Sequence, residues 1–153
     1  MDREKKILYI DMDGVLVDFQ SGIDKLSQEE KIRFSGEEKN VPHIFSKMDP
    51  IAGAVESFAI LAEKFNTYIL STSPWYNETA PGDKVAWAKK YLGDAVYKRL
   101  ILSHNKHLND GHFLIDDRPD KNGAGDFKGE VIAFGSEQFP DWKSVLDYLI
   151  PIS

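Results

Sequence analysis

The chain has 153 residues, 42% hydrophobic and 29% charged, which suits one ordinary domain with a buried core and excludes a disordered or fibrous protein. Its net charge of −6 tells against a nucleic-acid polymer as partner, because the phosphate backbone calls for a basic surface, but leaves room for a small phosphate ester. With no cysteine there are no disulfides, thiolate metal sites or cysteine nucleophiles, and no apolar run nears the roughly 20 residues that span a bilayer.

The N-terminal run Met1-Asp2-Arg3-Glu4-Lys5-Lys6 is charged, and the apolar run after it is too short for a secretory leader. A cytoplasmic protein is the expectation. That short run, Ile7 to Ile10, reads as a first buried strand. From about Gln20 to Pro50 the chain turns polar, with Ile23, Leu26, Ile32 and Phe34 spaced for short helices. Val55, Phe58, Leu61, Ala62 and Phe65 then recur at helix spacing before a strand at Tyr68–Leu70. A second helical stripe, Val85, Ala88, Tyr91 and Leu92, has Asp83 as its expected N-cap and Gly93 just past its end. Further strands are expected at Leu100–Leu102, His112–Ile115 and Val131–Phe134. A last helix carries Trp142, Val145, Leu146 and Leu149 and is stopped by Pro151. The strands are apolar throughout, as in a parallel sheet covered on both faces, and they alternate with helices. The expected architecture is a doubly wound α/β core made of residues 1–19 and 51–153, with residues 20–50 forming a small helical cap after the first strand.

Four short strings carry the chemistry, each at or just beyond an expected strand end. In an open parallel sheet, ligands bind beyond the carboxyl ends of the strands. Asp11-Met12-Asp13-Gly14 follows the first strand directly. Two carboxylates this close repel each other unless a cation or a shared proton intervenes, and a hard divalent ion, magnesium above all, suits oxygen ligands. Gly14 permits a tight turn that lets the backbone approach a phosphate. Ser71-Thr72-Ser73-Pro74 ends another strand and offers hydroxyl donors. Lys106, in a connection between strands, offers a cation for developing negative charge. Asp116-Asp117-Arg118-Pro119 closes the series with a second acidic pair, able to complete the coordination of the same ion. Taken singly, each string has an ordinary alternative: a capping turn, a loop, a solvated lysine, or aspartates paired with Arg118. His104 and His107 flank Lys106, but no third soft ligand accompanies them, so they are expected to serve the loop or its packing.

Acidic pair, hydroxyl, lysine, acidic pair is also the order of the four haloacid dehalogenase motifs. The strings Asp11-Met12-Asp13-Gly14-Val15-Leu16-Val17-Asp18-Phe19, Ser71-Thr72-Ser73-Pro74, Lys106 and Leu114-Ile115-Asp116-Asp117-Arg118-Pro119 resemble the 5′(3′)-deoxyribonucleotidases of that superfamily. The resemblance runs from about Ile7 to Pro119, and Lys84-Val85-Ala86-Trp87 looks like the family's helix after the second motif. It implies a Rossmann-like core with a small cap, and a magnesium-dependent phosphomonoesterase acting on nucleoside monophosphates through an aspartyl-phosphate. Asp11 would be the nucleophile and a metal ligand. Asp13 would bind the metal through its carbonyl and serve as general acid and base. Thr72, Ser73 and Lys106 would hold the phosphate, and Phe19 would line the nucleoside pocket. Asp117 would be the remaining metal ligand, with Asp116 beside it as a direct or indirect partner.

One departure bears on the substrate. The insertion is shorter here than in the animal enzymes and holds no tryptophan, so Phe34, Phe45, Trp75 and Tyr76 are the aromatic side chains available to a base. A phosphatase for a sugar phosphate or another small metabolite is the competing enzymatic reading. A receiver-like signalling domain or a silent phosphate-binding module would share some of these residues. Receivers, however, place an acidic pair on the first strand and the phosphorylated aspartate on a later one, whereas here an acidic pair closes the series. The oligomeric state has no signal in the sequence.

Overall fold

A computed structural model describes residues 4–153; residues 1–3, the start of the charged N-terminal run, lie outside the described residues. The first apolar run is strand β1 (Ile7–Ile10). It is followed by a two-residue strand β2 (Val17–Asp18), helix α1 (Phe19–Asp24) and helix α2 (Gln28–Arg33). Strand β3 (Asp49–Pro50) pairs antiparallel with β2, so a small stem closes the polar insertion at its base. Within the insertion Leu26, Val41, Ile44, Phe45 and Met48 turn inward, whereas Ile32 is 70% exposed.

The rest alternates as the pattern requires: α3 (Ala54–Lys64), β4 (Asn66–Ser71), α4 (Ala80–Leu92), β5 (Leu100–Leu102), β6 (Phe113–Asp116), β7 (Glu130–Ala133) and α5 (Trp142–Leu149). The five long strands form one parallel sheet in the order β5-β4-β1-β6-β7. The chain leaves β1 toward one edge and returns to its other side, so the topological switch falls at β1. That is where an open α/β sheet makes its binding crevice.

Leu8, Ile10, Ile69 and Ile115 pack with Phe58, Leu61, Trp87, Trp142, Val145 and Leu149 in the larger core. The alternate residues Tyr9, Leu70 and Leu114 form a second, smaller cluster, closed by Ala124 and Phe127 from the β6–β7 connection. Two tryptophans combine apolar packing with a hydrogen bond, as buried indoles usually do. Trp142 donates to the Val15 carbonyl (2.9 Å) and Trp87 to the Met48 carbonyl (3.0 Å). One therefore holds the turn after β1 and the other the end of the insertion.

Three local expectations are corrected. Asp83 is not the N-cap of α4: the helix starts at Ala80 with Pro in its first turn, Thr79 precedes it, and Asp83 instead meets His43 at 3.0 Å. In α4 one member of the expected stripe fails, for Val85 is 37% exposed, while Ala88 is buried, Tyr91 and Leu92 pack on the core, and Ala80, Lys84 and Trp87 complete the buried face. The third correction concerns the strand expected at His112–Ile115, which runs from Phe113 to Asp116. That one-residue shift carries the first acid of the last motif inside the sheet.

Candidate active site

Asp11 is fixed by the sheet that precedes it: its N–H still donates to the Ile115 carbonyl at 2.9 Å. The chain then turns sharply, with the Met12 carbonyl accepting from the amides of Val15, Leu16 and Val17. Gly14 has φ +80°, and a methyl group there would overlap the Asp117 carboxylate. Glycine is thus required twice, by the left-handed backbone and by the close approach of Asp117 just past β6.

Carboxylate oxygens of Asp11, Asp116 and Asp117 lie within 4.8 Å of one another. The two aspartates at the end of β6 are not equivalent. Asp116 is buried and has both oxygens engaged, one accepting from Lys106 Nζ at 2.6 Å and the other from the Arg118 amide at 2.9 Å. Asp117 faces Gly14 from the exposed side and is free of those anchors, so it is the better placed of the two to meet a cation directly.

Lys106 opens a short 3₁₀ turn, Lys106–Leu108, between β5 and β6. Its ammonium is almost completely buried and bridges Asp116 and Asp11, the latter at 3.0 Å. Burial alone would lower its pKa, but Asp11 and Asp116 together hold it above the usual lysine value. Burial pushes the Asp11 carboxyl well above the ordinary range; Lys106 pulls it back, while the charges of Asp116 and Asp13 act with burial. Asp117 is raised too, chiefly because its carboxyl is partly enclosed against the neighbouring acids although the residue itself is exposed.

The hydroxyl motif is divided among three tasks. Ser71, the last residue of β4, is buried and accepts a hydrogen bond from Lys84. Thr72 donates its proton to the Ser103 carbonyl at 2.8 Å. Ser73 Oγ is buried at the cleft without a protein partner, which leaves it for a ligand. Asp13 shows the same division within one carboxylate, since Oδ2 accepts from Lys84 Nζ at 3.0 Å and Oδ1 is buried and unpartnered.

These groups floor a cleft of about 500 Å³, within the usual range for small-molecule sites of roughly 300–1,000 Å³. Phe19, at the first position of α1, meets Phe45 edge-on at 6.0 Å, and both line the cleft from the insertion side. Phe34, by contrast, packs against the core and is not among the lining residues. Asn40 and Lys39 add polar atoms from the same side, and Arg118 adds a cation from the core. Trp75 and Tyr76 stand at the cleft 79% and 83% exposed, with His104 edge-on to Trp75. A larger hollow, of about 910 Å³, lies at the opposite end of the strands near Ile7 and Asn66. It holds none of the motif residues, and its Arg99 is already committed to Asn66 and the Thr67 carbonyl.

Sequence reasoning missed Lys84 as an individual residue. It sat unremarked in a helical segment, although its place one turn after Ala80 and just before Trp87 puts it on the buried face. With Lys84 included, four carboxylates face the two ammonium groups bonded to them and the nearby Arg118, so negative charge remains in excess. A hard divalent cation offsets that excess, and the all-oxygen donor set of Asp11, Asp116 and Asp117 fits magnesium.

Three comparisons place these features among known proteins. The family described as "5' nucleotidase, deoxy (Pyrimidine), cytosolic type C protein" matches residues 27–140. A candidate 5′(3′)-deoxyribonucleotidase of Vibrio phage KVP40 is 57% identical over 146 residues, covering 95% of this chain and 85% of the phage protein. The human mitochondrial 5′(3′)-deoxyribonucleotidase is 29% identical, over 90% of this chain and 68% of its own length. Among solved structures, a candidate HAD-hydrolase from Bacillus subtilis, bound to magnesium, superposes with a TM-score of 0.68 at 10% identity, covering 96% of this chain and 99% of the other. A haloacid dehalogenase-like hydrolase from Streptococcus pneumoniae gives 0.54 at 14% identity, covering 94% and 90%. Both share the fold.

Proposed function

Since the chain belongs to the deoxy (pyrimidine) 5′ nucleotidase family of cytosolic type C, we propose that it is a magnesium-dependent phosphomonoesterase releasing inorganic phosphate from deoxynucleoside monophosphates. The observation that carries this reading is the meeting of Asp11, Asp116 and Asp117 around one point, with Lys106 between two of them.

Asp11 and Asp117, with the backbone carbonyl of Asp13, would hold the ion, and Asp116 would act through Lys106. Magnesium bound there supplies the positive charge that lets a phosphate dianion approach an anionic nucleophile. The remaining steps belong to the chain. Lys106 and the free hydroxyl of Ser73 hold phosphoryl oxygens, and the Thr72 hydroxyl would join them by turning from the Ser103 carbonyl to which it donates. An Asp11 oxygen attacks phosphorus, the P–O ester bond breaks, and Asp13 gives its proton to the departing alkoxide. The product is an aspartyl-phosphate and a free nucleoside. Asp13, now a carboxylate, takes a proton from water as the water oxygen attacks phosphorus, releasing phosphate and restoring Asp11. Rigid placement of charge supplies most of the acceleration, as in phosphoryl transfer generally.

The exposed ring of Trp75 supports a nucleotide over a sugar phosphate, since a planar base is the ligand that would cover it. The test is phosphate release from deoxyuridine and thymidine monophosphates beside a sugar-phosphate panel, with magnesium and with a chelator. The reading expects magnesium-dependent turnover favouring the nucleotides by about tenfold or more. Uniformly feeble rates on every nucleotide, or faster turnover of a sugar phosphate, would refute the substrate; full activity in chelator would refute the metal.

A further inference from the structure

Lys84 is fully buried in the middle of α4, on the face otherwise made of Ala80, Trp87 and Ala88. A lysine is almost never enclosed this way unless paired, and an apolar side chain would serve the core better. Its ammonium touches three separate parts of the molecule. It donates to Asp13 Oδ2 at 3.0 Å and to Ser71 Oγ at 2.9 Å, and it lies 4.5 Å from the centre of the Phe45 ring. The turn after β1, the end of β4 and the insertion over the cleft therefore meet at one nitrogen.

The consequence for Asp13 is geometric. With Oδ2 held, the carboxyl group cannot rotate freely, and Oδ1 is left buried without a protein partner on a residue that lines the cleft. We propose that Lys84 is a positioning residue that clamps the Asp13 carboxyl so that Oδ1 faces the departing and entering oxygens. Its contact with Phe45 ties that orientation to the seating of the insertion. This rests on Asp13 as general acid and base, so the experiment must separate the two ideas.

p-Nitrophenolate leaves phosphorus without needing a proton, whereas the alkoxide of thymidine monophosphate needs one. Lys84→Met, with Ser71→Ala as a milder second variant and Asp13→Asn as reference, is followed by rapid-mixing kinetics on both substrates. Lys84→Met should release one equivalent of nitrophenolate per site at the parental rate constant. Turnover after this burst should then slow on the order of 10²-fold, the cost of misplacing a reacting group by about an ångström. On thymidine monophosphate the first step itself should slow by a similar factor with little change in KM. Ser71→Ala should show the same pattern, smaller, and it carries the test if Lys84→Met does not fold.

A burst that shrinks in parallel with turnover, or parental turnover of thymidine monophosphate in both variants, would overturn the assignment. If Asp13→Asn keeps parental turnover, the acid/base reading beneath it fails; if only the Lys84 and Ser71 variants behave like the parent, the clamp alone fails.

Discussion

Two buried lysines hold acidic residues of the cleft from different elements and are balanced differently. Lys106, on the β5–β6 connection, sits between two buried carboxylates, Asp11 and Asp116. Lys84, on α4, has one carboxylate, one hydroxyl and one aromatic ring. The first cluster carries a net negative charge, the second is neutral. A neutral, closed cluster is a clamp. An electronegative one has a reason to accept another cation, and its lysine can turn from aspartate to phosphate without losing its compensation.

The largest way to break this contrast is to remove the attacking oxygen. Asp11→Asn should lower turnover on the order of 10³-fold or more, the scale of losing a nucleophile, while leaving Lys106 paired with Asp116 and the fold intact. Steady-state phosphate release beside circular dichroism checks both halves. Parental turnover would assign the nucleophile to another residue.

Stability sharpens the contrast next. Lys106→Met leaves Asp11 and Asp116 buried without their cation, a loss of about 3–5 kcal/mol at neutral pH. Lys84→Met should cost less, because its partner Asp13 keeps 31% side-chain exposure and can rehydrate. The folded Asp11 pKa lies above its unfolded value already in the parent, raised chiefly by burial, and losing Lys106 removes what pulled it back. The contribution of such a group is full below the unfolded pKa and lost as pH rises through the folded one. The Lys106→Met deficit should therefore widen from acid to neutral pH, which urea unfolding of the metal-free proteins across that range would measure. A deficit that narrows with rising pH would contradict the assigned cause.

Gly14→Ala comes third. The strain of φ +80° on a side-chain-bearing residue costs about 1–2 kcal/mol, and the new methyl must displace Asp117. Magnesium should then be needed at higher concentration for half-maximal activity. An unchanged metal requirement with lowered stability would show that Asp117 is not a ligand.

The lysines also mark what a sequence can reveal. Asp11-Met12-Asp13-Gly14 and Asp116-Asp117 were legible because contiguous residues at strand ends need only the sheet's parallel topology to converge. Lys106 was legible through its place in the order of motifs. Lys84 was not, because it lies in a helix among exposed charges, and its partners are 13 and 71 residues away in sequence. The stripe chosen for that helix placed Val85 where Lys84 is the buried residue, though its Ala88, Tyr91 and Leu92 do face the core. Asp83 failed as a cap for a related reason: Thr79 and Asn77 already organise the helix start, with Asn77 donating to the carbonyls of Lys39 and Val41 in the insertion. Contacts between an insertion and the core it covers leave no periodic trace.

The smallest effect concerns the rim, where neither lysine reaches. Trp75 is 79% exposed and its edge contact with His104 covers little of it, so the folded protein gains little from its burial. Stacking on a base is worth roughly 1–3 kcal/mol, and at an open rim the lower end applies. Trp75→Ala should thus raise KM for thymidine monophosphate about fivefold, with kcat and thermal stability near the parent. An acyclic phosphate such as glycerol phosphate has no ring to lay against the indole, so its KM should not move. If both KM values rise together, Trp75 is shaping the phosphate floor through Ser73 and Pro74, and the base is held by Phe19 and Phe45 alone.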